Sequence, residues 1–355
     1  MVQSDKTVQS YLFQSTSKTN IQFMDSKAIV AQLRSIASKS GLKLNKTEQD
    51  RKSSVAKPTE NLYKGKVEIT TVPGLNEVSI VAFNLQNSVH SMIKSVSFKS
   101  NRPSELAHLF VLCIGINDYL DDDPNTRLNF AVKDAKNIGE MLKKQSNGLY
   151  DTDKIHVRYL MDQDASKNKI IKEFKWLASR IKPTDTFILF FAGHGIMDGH
   201  QYYLVTHDYD GKIQPNSMIS TNELLEQSKN VPALTQLLIL DSCYAGGVDY
   251  IVRGLYDSRM SVLAKKMGLH IFASASDLEK ALDSYEGNGL FSHILLQGLN
   301  NNPKVDENKD KLVSLKELGK FSKRLTTDIA KKLGHEQEPL IKHFGEDKPV
   351  YRIAQ

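Results

Sequence analysis

The sequence predicts an α/β protein: a mostly parallel sheet with helices on both faces, preceded by a small β-rich N-terminal module. Three observations predict it. The runs Thr186 to Ala192 and Thr235 to Leu240 are apolar throughout, as strands buried on both faces are. From Leu109 onward such runs alternate with amphipathic segments, the order of βαβ units. Before that point, short β-prone runs flank a Pro-Gly-Leu-Asn turn.

Residues 1 to 23 are polar and patternless and read as a loose arm. Ser26 then caps a helix with Ile29, Val30, Leu33, Ile36 and Ala37 at helical spacing and Gly41 as its stop. Lys43 to Lys64 is charged and rich in Ser, Thr and Asn, as a linker is. Lys66 to Val72 and Val78 to Phe83 flank Pro73-Gly74-Leu75-Asn76 as a hairpin, and Ser95 to Ser100 adds a third strand. The expected boundary separates this module, 1–105, from a domain at 106–355.

The domain begins with the strand Leu109 to Ile116, then a helix from Leu128 to Lys143, the strand Ile155 to Leu160, a helix from Ser166 to Ile181, and the strand Thr186 to Ala192. The second helix carries Ile170, Ile171, Phe174, Leu177 and Ile181 at three- and four-residue steps behind Ser166 as cap, so its stripe should cover the sheet. Tyr202 to Thr206 follows as a strand. A helix is then capped by Ser220 with Glu223 in capping-box position, before the strands Thr235 to Leu240 and Leu269 to Ala275.

With 355 residues and 40% hydrophobic content, about two domains with a substantial core are expected. No apolar stretch approaches 18 residues and the polar start lacks a signal layout, so neither a membrane span nor secretion is expected, and cytoplasm is the default. The two cysteines, Cys113 and Cys243, exclude a disulfide framework. Cys113 lies inside an apolar strand and reads as inert, and a reducing compartment suits a free Cys243. The net charge of +6 belongs to residues 1 to 105, with 15 Lys and Arg against 8 Asp and Glu; the remainder has 32 against 33. These are scattered lysines without aromatic interleaving, which describes a solvated surface, and no nucleic-acid partner is expected.

Two strand ends carry chemistry. Thr186 to Ala192 delivers Gly193, His194 and Gly195, and Thr235 to Leu240 delivers Asp241, Ser242 and Cys243. Ligands of open α/β sheets sit at the carboxyl ends of strands, so a thiol nucleophile with an imidazole partner is expected there. A thiol attacks only as thiolate, which calls for a nearby base and for donors to the oxyanion. Gly-x-Ser-x-Gly, His-Glu-x-x-His and Gly-x-x-x-x-Gly-Lys are all absent. Ser242 is no rival, because strand neighbours point to opposite faces; the same alternation puts Asp241 on the side of Cys243. A carboxylate there suits the floor of a pocket for Arg or Lys, since opposite charges ~4 Å apart are worth about 4 kcal/mol at an effective dielectric of 20.

The stretches Phe190-Phe191-Ala192-Gly193-His194-Gly195 and Leu240-Asp241-Ser242-Cys243-Tyr244-Ala245-Gly246-Gly247 resemble those of the caspase-like cysteine peptidases. The likeness is to bacterial caspase-like proteins and metacaspases, because the Gln-Ala-Cys of animal caspases is absent. His194 precedes Cys243 by 49 residues, against about 50 in caspases. Ala131-Val132-Lys133-Asp134-Ala135, Phe272-Ala273-Ser274-Ala275-Ser276-Asp277 and Gly289-Leu290-Phe291-Ser292 extend the resemblance from about Leu109 to the C-terminus. It implies the caspase fold, with six strands and flanking helices. It implies an endopeptidase using a Cys243–His194 dyad, with the N–H groups of Gly195 and Cys243 as oxyanion donors. By the metacaspase pattern Asp241 and Asp134 hold a basic residue, so cleavage after Arg or Lys is expected; Asp277 either lines that pocket or caps Leu278 to Leu282. Substrates are proteins or peptides, no cofactor is required, and a monomer is expected.

Calcium is a separate question, because many metacaspases depend on it. Asp306, Asn308, Asp310, Ser314 and Glu317 fall at positions 1, 3, 5, 9 and 12 of an EF-hand-like loop, but Lys311 stands where the sharp turn needs glycine, and a solvated loop is expected. Asp249 is a weak match to the acidic site of the family. Arg253, Arg259, Lys265 and Lys266 lie where family members process themselves, although an ordinary surface segment is the preferred reading. The alternative to an active enzyme is a caspase-like scaffold that works by partner binding, with proteolysis latent or absent.

Overall fold

The computed structural model describes residues 11–13, 19–22, 64–67, 71–81, 91–198, 201–243, 264–265, 267–275 and 281–353. By its internal contacts the chain divides into two units, one of residues 1–105 with 256–260, the other of 106–255 with 261–355.

In the first unit β1 (Tyr11–Phe13), β4 (Gly74–Val81) and β5 (Lys94–Ser100) form one antiparallel sheet, while β2 (Thr19–Gln22) pairs with β3 (Lys64–Val67). This corrects two expectations. The stretch 1 to 23 is not wholly patternless, because it contributes two strands; Tyr11-Leu12-Phe13 is β-prone but too short to show alternation. Nor does Pro73-Gly74-Leu75-Asn76 reverse the chain: β4 pairs with β5, from Gly74 opposite Ser100 to Ile80 opposite Lys94. Asn76 explains why. Its Nδ2 donates to the carbonyls of Val72 and Gly74 and its Oδ1 accepts from the Val72 N–H, so the turn-forming residues make a local kink that leads into β4. The helix at Ser26 to Gly41 and the bulk of the linker lie outside the described residues.

The second unit is built on β6 (Leu109–Gly115), β7 (Ile155–Met161), β8 (Thr186–Ala192), β12 (Thr235–Asp241), β13 (Leu269–Ala273) and β15 (Leu340–His343). They form one sheet in the order β15-β13-β12-β8-β6-β7, with only β15 antiparallel. Tyr202 to Thr206 is not in it. That segment forms β10 (Gln201–Val205), which pairs antiparallel with β9 (Gly195–Asp198) and β11 (Met218–Ser220) in a small separate sheet. The connection from β8 is too short for a parallel crossover, which needs a dozen or more residues. The sixth strand of the central sheet is the short Leu-Ile-Lys-His of β15, whose mixed composition hid it.

Alternation within the buried strands supplies a face to each helix layer. Leu109, Val111 and Cys113 of β6, with Ile188 and Phe190 of β8 and Leu237 and Ile239 of β12, pack in one cluster with α1 (Ala131–Gln145), α4 (Leu290–Leu299) and α5 (Leu315–Lys332). On the opposite face lies α2 (Lys167–Ala178), whose Phe174 meets Phe187 of β8 edge-on at 6.0 Å, and α3 (Thr221–Asn230) contacts α2. Ser220 and Glu223 close the expected capping box of α3.

Candidate active site

The site follows from register. Asp241 of β12 stands opposite Ala192 of β8, and the Gly193 N–H donates to the Asp241 carbonyl at 3.2 Å. His194 and Cys243 therefore each lie two residues beyond a paired position, on adjacent parallel strands that end together. Both wall one cleft with Leu128, Asp134, Asp241, Leu282 and Asp283.

His194 is fixed from two sides. Its backbone N–H donates to the Tyr119 hydroxyl at 2.8 Å, and its Nε2 lies 2.7 Å from the Thr126 carbonyl, which can only accept. Nε2 thus carries the hydrogen, and Nδ1 is the basic nitrogen. Burial lowers the imidazole pKa and the Thr126 carbonyl opposes the shift, so the ring is neutral near pH 7 and able to take a proton. The hydroxyl of the preceding Ser242 bonds to buried Tyr202 at 2.5 Å, and its N–H donates to Ser274 Oγ.

Gly195 is a steric necessity. A methyl placed on it would lie 2.4 Å from the Cys243 carbonyl and 2.5 Å from the Tyr202 hydroxyl. Gly195 also stands opposite Leu204 at a position where the flanking Val205 N–H bonds to the His194 carbonyl. In an antiparallel ladder such a pair exchanges no bonds, so the Gly195 N–H turns away from β10. Gly195→Ala is expected to separate the imidazole from the thiol and lower kcat/KM roughly 100-fold in a peptidase assay.

Two helix N-termini meet the carboxylates. Asp134 is in the first turn of α1, whose N-terminus is capped from outside by Asn117 Oδ1 accepting from Val132. Its side chain accepts from Asn288 Nδ2 and, at 2.8 Å, from the Gly289 N–H just before α4. Asp241 accepts from the N–H and hydroxyl of Ser292 in the first turn of α4, at 3.2 and 2.5 Å. Both carboxylates therefore also cap α4, whose Gly289 has no side chain to do so. Burial nonetheless dominates: Asp134 is pushed up to about 7, with Asp241 adding repulsion, and Asp241 is raised as well.

Asp283 was not foreseen from the sequence. It lines the same cleft and burial pushes it up to about 6, with the charge of Asp241 as a further cause. Thr126 and Tyr119 were also missed, since a carbonyl carries no sequence signal and no motif surrounds Ala281-Leu282-Asp283. Asp277, Asp249, Arg253, Arg259 and Lys266 lie outside the described residues.

The 306–317 loop differs from expectation at Lys311, which adopts φ +67°, the left-handed conformation expected of glycine there. Its N–H donates to Asp306 Oδ2 at 3.0 Å, which offsets the strain. Asp306 also accepts from the Asp310 N–H, Asn308 Oδ1 accepts from the same N–H, and Glu317 accepts from the N–H groups of Glu307, Asn308 and Ser314. The acceptor oxygens serve the loop's own backbone, and among the described residues no three His, Cys, Asp or Glu side chains converge as a metal site. Nor is any helix of the described residues long and apolar enough to cross a membrane.

The fold and this strand-end arrangement define a caspase-type domain. The family model of the caspase domain matches residues 108–349, more than half of the chain, and the protein belongs to that family of cysteine peptidases. Solved structures with similar folds include caspase-1 from Spodoptera frugiperda (14% identity, 72% of this chain and 96% of that one, TM-score 0.49). A protein from Geobacter sulfurreducens is also similar (17%, 70% and 97%, 0.48), as is the Drosophila initiator caspase Dronc (11%, 68% and 82%, 0.45). No curated protein matches the chain.

Proposed function

We propose that this protein is an endopeptidase that cleaves after Arg or Lys, with Cys243 as nucleophile and His194 as general base and acid. The observation that carries the reading is one cleft walled by Cys243, His194 and three carboxylates, without a Lys or Arg side chain among its described walls. A neutral His194 takes the thiol proton at Nδ1 while Thr126 holds Nε2. The thiolate attacks the carbonyl carbon, and the oxyanion accepts from the N–H groups of Gly195 and Cys243. The imidazolium returns its proton to the departing amine, leaving an acyl-enzyme; water, deprotonated by the same imidazole, releases the acid and restores the thiol. Asp134, Asp241 and Asp283 hold the basic side chain, in a monomeric enzyme of a reducing compartment.

One observation favours a latent form of the same site. The cleft between its described walls holds about 30 Å³, room for only a few water molecules, which supports a reading in which arginine enters as those walls part. The specificity is tested with a fluorogenic panel that varies the residue before the cleaved bond. Arg and Lys substrates are expected to exceed all others by at least 100-fold, and preference for Asp or for an uncharged residue would overturn the assignment.

A further inference from the structure

We propose that the acidic cleft recognises its basic side chain by proton exchange: when empty it retains a proton among Asp134, Asp241 and Asp283, and the arriving cation expels that proton to solvent. The proposal rests on reading the cleft as the site for Arg or Lys.

Three carboxylates share one narrow cleft, and among the described residues the groups around them do not neutralise them. From α1, Lys133 faces the cleft's outer loop and gives its ammonium to the Gly287 carbonyl at 2.6 Å. From the end of β8, His194 is neutral and tied to Thr126; from the end of β12 comes the thiol of Cys243. Glu286 of the 281–289 loop lies 3.5 Å from His293 of α4. The phenols of Tyr119 and Tyr202 are bonded to the His194 N–H and the Ser242 hydroxyl and are held in the neutral form by burial. Among the described residues no ion pair is formed by any of the three carboxylates, whose partners are uncharged: Asn288, Gly289, Ser292, Ser274 and the Asn129 backbone.

Burial and mutual repulsion both favour the protonated acid, in the direction already found for each of the three. A guanidinium or ammonium reverses the balance. The step conserves charge: a carboxylic acid and a cation become a carboxylate–cation pair plus one proton in solution. Binding should strengthen with pH while the cleft still holds its proton and level off above about 7, where Asp134 ionises unaided.

The test is calorimetric titration of full-length Cys243→Ala protein with an acetylated tripeptide amide ending in arginine, in two buffers of different ionisation enthalpy. At pH 6 about one proton should be released per peptide, and at pH 8.5 close to none. Asp283→Asn should lower the release at pH 6. Arginine binding at pH 6 without proton release overturns the exchange and leaves basic specificity standing. Failure of the arginine peptide to bind, or equal binding of its citrulline counterpart, overturns both. The wild-type enzyme gives an independent readout: kcat/KM for arginine substrates should fall about tenfold per unit below pH 6 relative to a citrulline substrate, and parallel profiles would contradict the proposal.

Discussion

Cys243→Ala is expected to abolish peptide hydrolysis, a loss of roughly four to six orders of magnitude in kcat. The mechanism has no second nucleophile: Ser242, which precedes the thiol in the chain, is committed to Tyr202, and Cys113 is fully buried with its pKa raised by desolvation. His194→Ala should cost a similar amount, because the thiol then lacks its base and the leaving amine its acid. Groups that act as a unit lose their effect together, so the double variant should be scarcely worse than either single one. The measurement is a single-turnover assay with an arginine substrate. Substantial turnover by His194→Ala would remove the imidazole from the mechanism.

The second large effect concerns the carboxylates, which cap α4 and, in the proposed function, also hold the basic side chain. Asp241→Asn should lower cleavage after Arg by two to three orders of magnitude, the equivalent of one close ion pair in a partly screened cleft. The stability consequence is read at Asp134. Its folded pKa of about 7 lies above the unfolded carboxylate value, so between about pH 4 and pH 7 the native protein holds a proton that the unfolded chain has released. That contribution is present in full at low pH and is lost as pH rises through this window, by a few kcal/mol in all. Asp134→Asn removes the slope. It also places an amide NH2 where Asn288 and Gly289 both donate, at a cost of about 1–3 kcal/mol at every pH. Thermal unfolding from pH 5 to 8 should therefore show wild-type stability falling more steeply than that of Asp134→Asn. Equal slopes would mean that Asp134 is ionised throughout.

What could be read beforehand depended on how local the signal was. Strands buried on both faces announce themselves by composition, which is why β6, β8, β12 and β13 were legible, as was the cap of α3 at Ser220. β15 was not, because four residues of mixed polarity owe their strand to pairing with β13 rather than to pattern. The error at Pro73-Gly74-Leu75-Asn76 is of the same kind: residues that favour a hairpin turn were used by Asn76 for a kink. In the site, His194, Cys243, Asp134 and Asp241 stood in motifs at strand ends and a helix start. Thr126, Tyr119 and Asp283 carry no local signal, and only the folded chain places them beside the site.

Intact-mass analysis after incubation with an arginine-directed acyloxymethyl ketone tests the dyad and its acidic cleft together. The expected result is one adduct per molecule on Cys243 in the wild-type protein, none in Cys243→Ala, and much slower labelling by the aspartate-directed reagent. An unlabelled wild-type protein, an adduct on another residue, or faster reaction with the aspartate reagent would contradict the account.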